Sequence, residues 1–206
     1  MNRIDPATIL EDETVRLLPM QQEHFAELET IARDARIWEF YPYDCMDPSR
    51  FRQLLEAALA EREKGTQFPF VIFHKKDNKL AGSTRFLDLQ LQHDKLEIGW
   101  TWLQHNYWAS EINAACKLLL LTFCFEQLLL KRVCFRTDEN NMRSRKAIEK
   151  TGAKFEGILR NDIRRDNGTY RSTAYFSILD HEWEMSKAKL TELYFHKKNN
   201  HERTSL

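Results

Sequence analysis

The chain has 206 residues, with 31 basic and 31 acidic side chains, so its formal net charge is zero at pH 7. This balance excludes binding of nucleic acid or an anionic membrane through overall charge. Hydrophobic residues make up 42% of the chain and aromatic residues 12%, which excludes a largely disordered protein. The length favours a single domain with short extensions.

The cysteines are spread along the chain without a close pair, at Cys45, Cys116, Cys124 and Cys134. This spacing predicts reduced thiols and no metal site. Residues 1–13 lack the apolar run of a signal peptide, and no stretch reaches about 18 apolar residues. We therefore expect a cytoplasmic protein that neither spans nor binds a membrane.

The first half of the chain alternates between strand and helix patterns. In order, we predict a strand at 14–18, helices at 24–33 and from Asp47, and strands at 68–74, 80–92 and 95–103. The last three strands follow one another through short polar turns, so they are expected to pair antiparallel.

The second half begins with a helix that is apolar on nearly all sides, as expected of a helix packed against a sheet. We predict this helix at 110–129, a strand at 132–137, a helix ending at Gly152, strands at 154–165 and 169–179, and a closing helix at 180–195. The polar residues 196–206 are predicted to be a disordered tail after one domain of residues 1–195. The element order predicts a mixed α/β (α+β) fold.

Four motifs occur in a fixed order. They are ETVRLLPM from Glu13, LEIGWTWL from Leu96, NYWASEINAACKLL from Asn106 and RVCFRTDENNMRSRKAIEKTGAKFEG from Arg132. With the element order, this set resembles the GNAT N-acetyltransferase superfamily, and is most similar to the branch of the ribosomal-protein N-terminal acetyltransferases RimJ and RimL. The resemblance implies a mostly antiparallel central sheet of about seven strands, flanked by helices, with a splayed central strand pair.

The resemblance also implies acetyl-CoA as co-substrate. Backbone N–H groups at a helix N-terminus suit the pyrophosphate, and the residues implied there are Trp108, Ser110, Glu111, Ile112 and Asn113. The amide-rich pantetheine arm can pair with an open strand edge between strands 95–103 and 132–138. The donor to the thioester oxyanion is implied to be a backbone N–H of the central strand, among Trp100, Trp102 and Leu103.

Asn141 and Ser144 lie one turn apart at the start of a predicted helix. One interpretation is helix capping, because both residue types satisfy free N–H groups in first turns. The resemblance implies instead that Asn141 positions the pantetheine arm and that Ser144 donates a hydrogen bond to the departing thiolate. Many relatives use a Tyr four residues later, where this chain has Ile148, which cannot donate.

The acceptor amine must lose a proton, and a general base assists this step. Glu97 is the leading candidate because it is one of few ionisable side chains on the central strand; Asp162 and His105 are weaker candidates. The alternative interpretation of Glu97 is an ion pair at a strand end.

Glu111 departs from the family pattern, which has glycine at this position of the phosphate loop. An acidic side chain suits the first turn of a helix, but it is also expected to occupy or repel the anion site. Weak acetyl-CoA binding, or loss of catalysis, would follow.

The function predicted is transfer of an acetyl group from acetyl-CoA to a primary amine, on a protein N-terminus or a small molecule, by direct transfer in a ternary complex. The alternatives are a non-catalytic binding or scaffold protein of the same fold, and an enzyme for a longer acyl-CoA. The early helices and the hairpin at 164–171 are expected to wall the acceptor site. The aromatic run from Trp38 to Tyr43 is interpreted first as core packing and second as a lining for a peptide or small amine. A homodimer is left open.

Overall fold

The computed structural model describes residues 4–204 of the protein, with side chains to residue 199. Within these residues, eight strands form one sheet in the order β1-β2-β3-β4-β5-β6-β8-β7. Every neighbouring pair is antiparallel except β5 and β6, which are parallel. The strands are β1 (Leu10–Glu11), β2 (Val15–Pro19), β3 (Phe68–His74), β4 (Lys79–Gln90), β5 (Lys95–Leu103), β6 (Arg132–Asp138), β7 (Lys154–Arg164) and β8 (Tyr170–Leu179). The mixed, mostly antiparallel sheet predicted from the sequence is confirmed.

Helices cover both faces of the sheet. They are α1 (Phe25–Ile31), α2 (Ala35–Trp38), α3 (Pro48–Glu63), α4 (Ile112–Thr122), α5 (Met142–Glu149) and α6 (Trp183–Thr204). Helices α4 and α6 share one apolar core with sheet residues such as Phe86 and Ile98. Helices α1 to α3 pack on the opposite face, around Val71 and Trp102.

The pairing between β5 and β6 is short. Only three residues of β5, from Lys95 to Glu97, pair with β6, and the last pair joins Glu97 to Cys134. Beyond this point β5 stays paired with β4 as far as Leu103, and β6 stays paired with β8 as far as Asp138. The two halves of the sheet therefore separate, which confirms the splayed central pair.

A β-bulge lies in β5 beside this gap. Between the pairs Arg85–Gly99 and Ser83–Trp102, one residue of β4 faces two residues of β5. The extra residue is accommodated at Trp100, which has a φ of 50°. Bulges bend a strand and increase its twist, so the bulge turns the end of β5 and places Trp102 on the same face as Gly99.

Helix α4 is shorter than predicted. The α-helical part is followed by a π-helical turn, Phe123–Gln127, in which the N–H of Leu128 bonds to the carbonyl of Phe123. The chain then leaves the helix at Leu129, which has a φ of 56°. A residue outside the right-handed region cannot continue a helix, so the predicted end at 129 is slightly late.

Helix α6 is longer than predicted: residues 196–204, expected to be disordered, are helical as far as Thr204. Tertiary contacts explain this difference. The Tyr194 hydroxyl lies 2.6 Å from Thr14 Oγ1, and Lys198 forms an ion pair with Glu13. Lys197 Nζ donates to two backbone carbonyls of the loop before α4, each at 2.9 Å. Residues 205–206 of the predicted tail lie outside the described residues.

Two general findings complete the fold. All four cysteines are free, and three of them, Cys45, Cys116 and Cys124, are buried. Across the described part of the chain, no helix has both the length and the apolar character needed to cross a membrane.

Candidate active site

The gap between β5 and β6 presents an open strand edge. From Ile98 to Leu103, the side of β5 that faces β6 pairs with no strand in the described part of the chain. Backbone N–H and C=O groups are strong hydrogen-bonding groups that need partners. An extended ligand rich in amides can supply them by adding to the edge like another strand.

The loop before α4 lies at the end of this edge. Trp108 Nε1 donates to the carbonyl of Leu103 at 2.9 Å, which fixes the loop to β5. Ser110 Oγ accepts from the N–H of Ile112 at 3.3 Å at the start of α4. The N-terminus of a helix attracts anions because its N–H groups are free and its dipole is positive. The loop therefore places a helix N-terminus, the kind of backbone end that suits an anion, beside the gap.

The left-handed position of this loop is Ala109, with a φ of 64°. Glu111 has a φ of −70°, an ordinary value for any residue. The backbone therefore does not require glycine at position 111.

The far wall of the gap is the turn from β6 into α5. Asn141 Oδ1 accepts from the backbone N–H of Ser144 at 2.9 Å, so Asn141 caps the helix. The guanidinium of Arg143 lies 3.7 Å from the centre of the Trp108 ring. This contact joins the start of α5 to the loop before α4, and so brings Asn141 and Ser144 to the mouth of the gap.

Glu97 lies where the gap begins, at the last paired position of β5. It is only 6% exposed and forms an ion pair with Arg136 of β6. Burial raises the pKa of Glu97, against the opposing effect of the Arg136 charge. A carboxylate with a raised pKa is a stronger base than an exposed one, as general-base catalysis near neutral pH requires.

These features can be compared with known families. The family model described as the acetyltransferase (GNAT) domain matches residues 14–154. The chain belongs to the GNAT acetyltransferase family. It is accordingly a GNAT-type N-acetyltransferase, and the resemblance seen in the four sequence motifs is confirmed.

Individual relatives agree with this GNAT assignment. The chain is 29% identical over 184 residues to the curated "Putative ribosomal N-acetyltransferase YdaF" of Bacillus subtilis (strain 168), covering 84% of this chain and 94% of that protein. A GCN5-related N-acetyltransferase from Brucella melitensis shares the fold with a TM-score of 0.83, at 24% identity, over 93% of this chain and 86% of that chain. Mycobacterium smegmatis RimJ, solved in complex with CoA-disulfide, has a TM-score of 0.74 at 20% identity, over 86% and 88% of the two chains.

Several residues predicted to bind the cofactor have side chains that are not available for it. Those of Trp102 and Ile112 are buried in the two cores, so only their backbone can face a ligand. The carbonyl of Leu103 already accepts from Trp108. Asn113 is half-buried in the first turn of α4. Ile148 is buried in the core, so the position where many relatives carry Tyr has no access to the gap.

The two weaker base candidates, His105 and Asp162, lie in surroundings different from those of Glu97. The His105 ring packs on Trp108, with centroids 4.6 Å apart. Asp162 is exposed on β7, where the hydroxyl of Tyr175 lies 3.5 Å from its carboxylate.

Glu111 is buried at the start of α4, with 6% of its surface exposed. Together with His74, Asp77 and Tyr107, and with Ser110 and Ile112 of the same loop, it lines a cavity of about 180 Å³. Its Oε2 atom is buried without a hydrogen-bond partner among the described residues. The expected effect of Glu111 on the pyrophosphate site stays a prediction.

The hairpin between β7 and β8 packs against the segment that follows α2. Arg50 of α3 pairs with Asp166 of the hairpin at 3.1 Å. Asp166 also accepts from the N–H of Asp44 at 3.0 Å, and Arg165 forms an ion pair with Asp138 of β6. These contacts hold the hairpin against α3, against the segment after α2 and against β6. That the hairpin walls the acceptor site stays a prediction.

Two aromatic residues of this segment, Tyr41 and Tyr43, pack on Trp100, with ring centroids 5.3 and 5.8 Å apart. Trp38 packs on Tyr41, with ring centroids 4.9 Å apart, and on Phe51 and Trp102 in the core. The aromatic run therefore extends from the core at Trp38 to Trp100 in the bulge of β5.

Lys117 of α4 is a buried cation that the sequence analysis did not single out. It is 6% exposed. Its Nζ donates to Thr101 Oγ1 at 2.8 Å and lies 5.6 Å from the centre of the Phe135 ring. Because Thr101 is on β5 and Phe135 on β6, Lys117 bridges the two strands beneath the gap. A lysine inside the apolar run CKLLLL was the available signal.

Replacing Lys117 by Met is expected to stabilise the protein at pH 7. Burial lowers the pKa of Lys117 to about 8, so below pH 8 the folded state carries a charge that burial penalises. Relative to an exposed lysine this costs up to about 3 kcal/mol. The cost disappears as the pH rises from 8 towards 10.5, because the folded state then releases the proton before the unfolded state does.

We expect the free energy of unfolding of Lys117→Met, measured with urea, to exceed that of the wild type by about 1–3 kcal/mol at pH 7. The gain should be clearly smaller at pH 9.5. Lys189→Met, on the exposed side of α6, is the control and should change stability little at either pH. A loss of stability at pH 7 would contradict the interpretation of Lys117 as an uncompensated charge.

Proposed function

We propose that the chain transfers an acetyl group from acetyl-CoA directly to the α-amine of a protein N-terminus. The observation that carries the proposal is the open edge of β5, which ends at the N-terminus of α4. This edge fits the amides of pantetheine, and the helix end fits a pyrophosphate. Relatives named as ribosomal and α-N-protein acetyltransferases support a protein acceptor.

Acetyl-CoA supplies an activated acetyl group as a thioester. In the proposed mechanism, Glu97 accepts the proton of the amine, directly or through water, and Arg136 orients its carboxylate. A backbone N–H of β5 beyond the bulge stabilises the negative charge on the thioester oxygen. Ser144 donates to the sulfur as the C–S bond breaks. An α-amine suits this mechanism because its pKa of about 7.7–8.0 leaves part of it neutral at pH 7, unlike a lysine side chain.

The first expected result is specific binding of acetyl-CoA. At about 100 times its Kd, a ligand that binds only the folded state adds about 2.7 kcal/mol to the free energy of unfolding. The measurement is the melting temperature with acetyl-CoA, with CoA and with ATP as an anionic control. If well-folded protein shows no shift at millimolar acetyl-CoA, the proposal fails.

Turnover is tested separately by thiol release with a panel of N-terminal peptides and small amines. Binding without release on any acceptor would favour the non-catalytic alternative. Faster thiol release with a longer acyl-CoA would favour the alternative of an enzyme that transfers a longer acyl group.

A further inference from the structure

Arg85 of β4 is a buried arginine that pairs with no carboxylate among the side chains that the structure describes. It is 4% exposed, and its Nε atom is buried with no hydrogen-bond partner among the described residues. The guanidinium carbon lies 4.4 Å from the centre of the Trp100 ring. Arg85 therefore lies beside the bulge of β5, next to the aromatic residues at the front of the gap.

The groups around Arg85 do not neutralise it. The side chains that act on its charge are Tyr41, Cys45 and Tyr43. Burial raises the pKa of Cys45 to about 12, and it raises the pKa of Tyr41 above its ordinary value, so both are neutral at pH 7. Burial also lowers the pKa of Arg85 to about 10, which still leaves the guanidinium charged.

Other arginines of the same region differ from Arg85. Arg136 pairs with Glu97, Arg165 with Asp138 and Arg50 with Asp166. The positive charges of Arg143 and Arg171, like that of Arg85, act to lower the pKa of Tyr41. The carboxylates of Asp138 and Asp162 act to raise the pKa of Arg171. Asp138 already forms an ion pair with Arg165.

A buried charge without a partner is costly, and such a charge in a ligand site is offset when the ligand supplies the opposite charge. The Trp100 ring covers one face of the guanidinium. The edge of a guanidinium carries its N–H donors, and their geometry matches a carboxylate.

We propose that Arg85 binds a carboxylate of the acceptor, so that the enzyme prefers acceptors with an acidic group near the reacting amine. This inference rests on the proposed function, since it places the acceptor in front of the gap, and it names the class of acceptor. The neutral overall charge of the chain conceals this local excess of positive charge.

The test compares two N-terminal peptides that differ only in Asp against Asn at the second position. We expect the wild type to favour the Asp peptide by about tenfold in kcat/KM, as expected for a hydrogen bond between charged groups. Arg85→Gln should reduce this ratio to about one, and Arg85→Lys should keep part of it, because it keeps the charge but loses the planar fork. Arg16→Gln is the control and should keep the wild-type ratio. It removes an arginine of β2 that pairs with Glu11, two strands away from β4 in the sheet.

Calorimetric binding of the two peptides to wild-type protein with CoA present needs no catalysis. Equal affinity for the two peptides would therefore count against this inference alone. Failure of the proposed function is detected separately, by the absence of a melting shift with acetyl-CoA. A small amino acid, compared with its amide, shows whether a free α-carboxylate serves as well as a peptide side chain. Equal affinity and equal kcat/KM for the Asp and Asn peptides in the wild type, or a preference that survives in Arg85→Gln, would overturn the inference.

Discussion

Replacing Glu97 by Gln is expected to lower kcat/KM for the acceptor by about 10²-fold or more, the usual contribution of a general base. Gln has nearly the same size and can still accept from Arg136, so the strand pair should remain intact. The loss should appear in kcat at saturating acetyl-CoA, because Glu97 lies below the gap rather than along the pantetheine edge.

The pH profile gives a second and independent signature of Glu97. Burial raises the pKa of this carboxyl, and a base acts only when deprotonated. The rate of the wild type should therefore fall as the pH falls through a value above 4.5, the ordinary pKa of a glutamate. In Glu97→Gln this acid limb should be absent, and the residual rate should follow ionisation of the amine alone.

The control for Glu97 is Glu156→Gln. Glu156 also forms an ion pair with an arginine, Arg132, but Arg132 lies at the closed end of the strand pair. This variant should keep the wild-type rate and pH profile. If Glu97→Gln remains within about threefold of the wild type, Glu97 is only the partner of Arg136, and the base must be sought elsewhere.

Replacing Ser144 by Ala is expected to lower kcat by about 10–10²-fold and to leave the Kd of acetyl-CoA nearly unchanged. A hydrogen bond to a sulfur that gains charge acts mainly in the transition state. The experiment separates catalysis from capping, because the capping bond runs from the backbone N–H of Ser144 to Asn141, and Ala keeps that N–H. The measurements are thiol release at saturating substrates and calorimetric titration with acetyl-CoA.

Asn141→Ala is the contrasting variant. Loss of its side chain removes the cap, which costs about 1 kcal/mol of stability, and should also weaken acetyl-CoA binding. Ser144→Thr, which keeps a hydroxyl, should retain more activity than Ser144→Ala. A kcat for Ser144→Ala within twofold of the wild type would reduce both residues to structural roles.

The features that the sequence predicted best are those set by local patterns. The turn DNG joins β7 to β8, and a helix with apolar residues on nearly all sides became α4, packed on the sheet. The splayed strand pair followed from the order of four motifs rather than from any one of them. By contrast, the bulge at Trp100 depends on how β4 and β5 pair, which no local pattern of β5 records.

The directions and partners of side chains also could not be predicted from the sequence. The burial of the Glu111 carboxylate could not be predicted, because an alignment places residues but does not orient them. Lys117 interrupts an apolar stretch, yet that neither Lys117 nor Arg85 forms an ion pair with a described carboxylate is a property of the packed structure. The end of α6 looked disordered because its residues are polar, but contacts distant in sequence, such as that of Lys197, hold it.

The contact of Lys197 with the loop before α4 bears on the order in which the protein is assembled during synthesis. Strands β1 to β5 pair with their neighbours in sequence, so that half of the sheet can form as the chain emerges from the ribosome. Strand β6 gains its antiparallel neighbour only when β8 has been made. The carbonyls of Ala109 and Ser110 meet Lys197 later still, once α6 has been made as far as residue 197. A nascent chain thus has the β5 wall of the gap long before it has the β6 wall and the final support of the loop before α4.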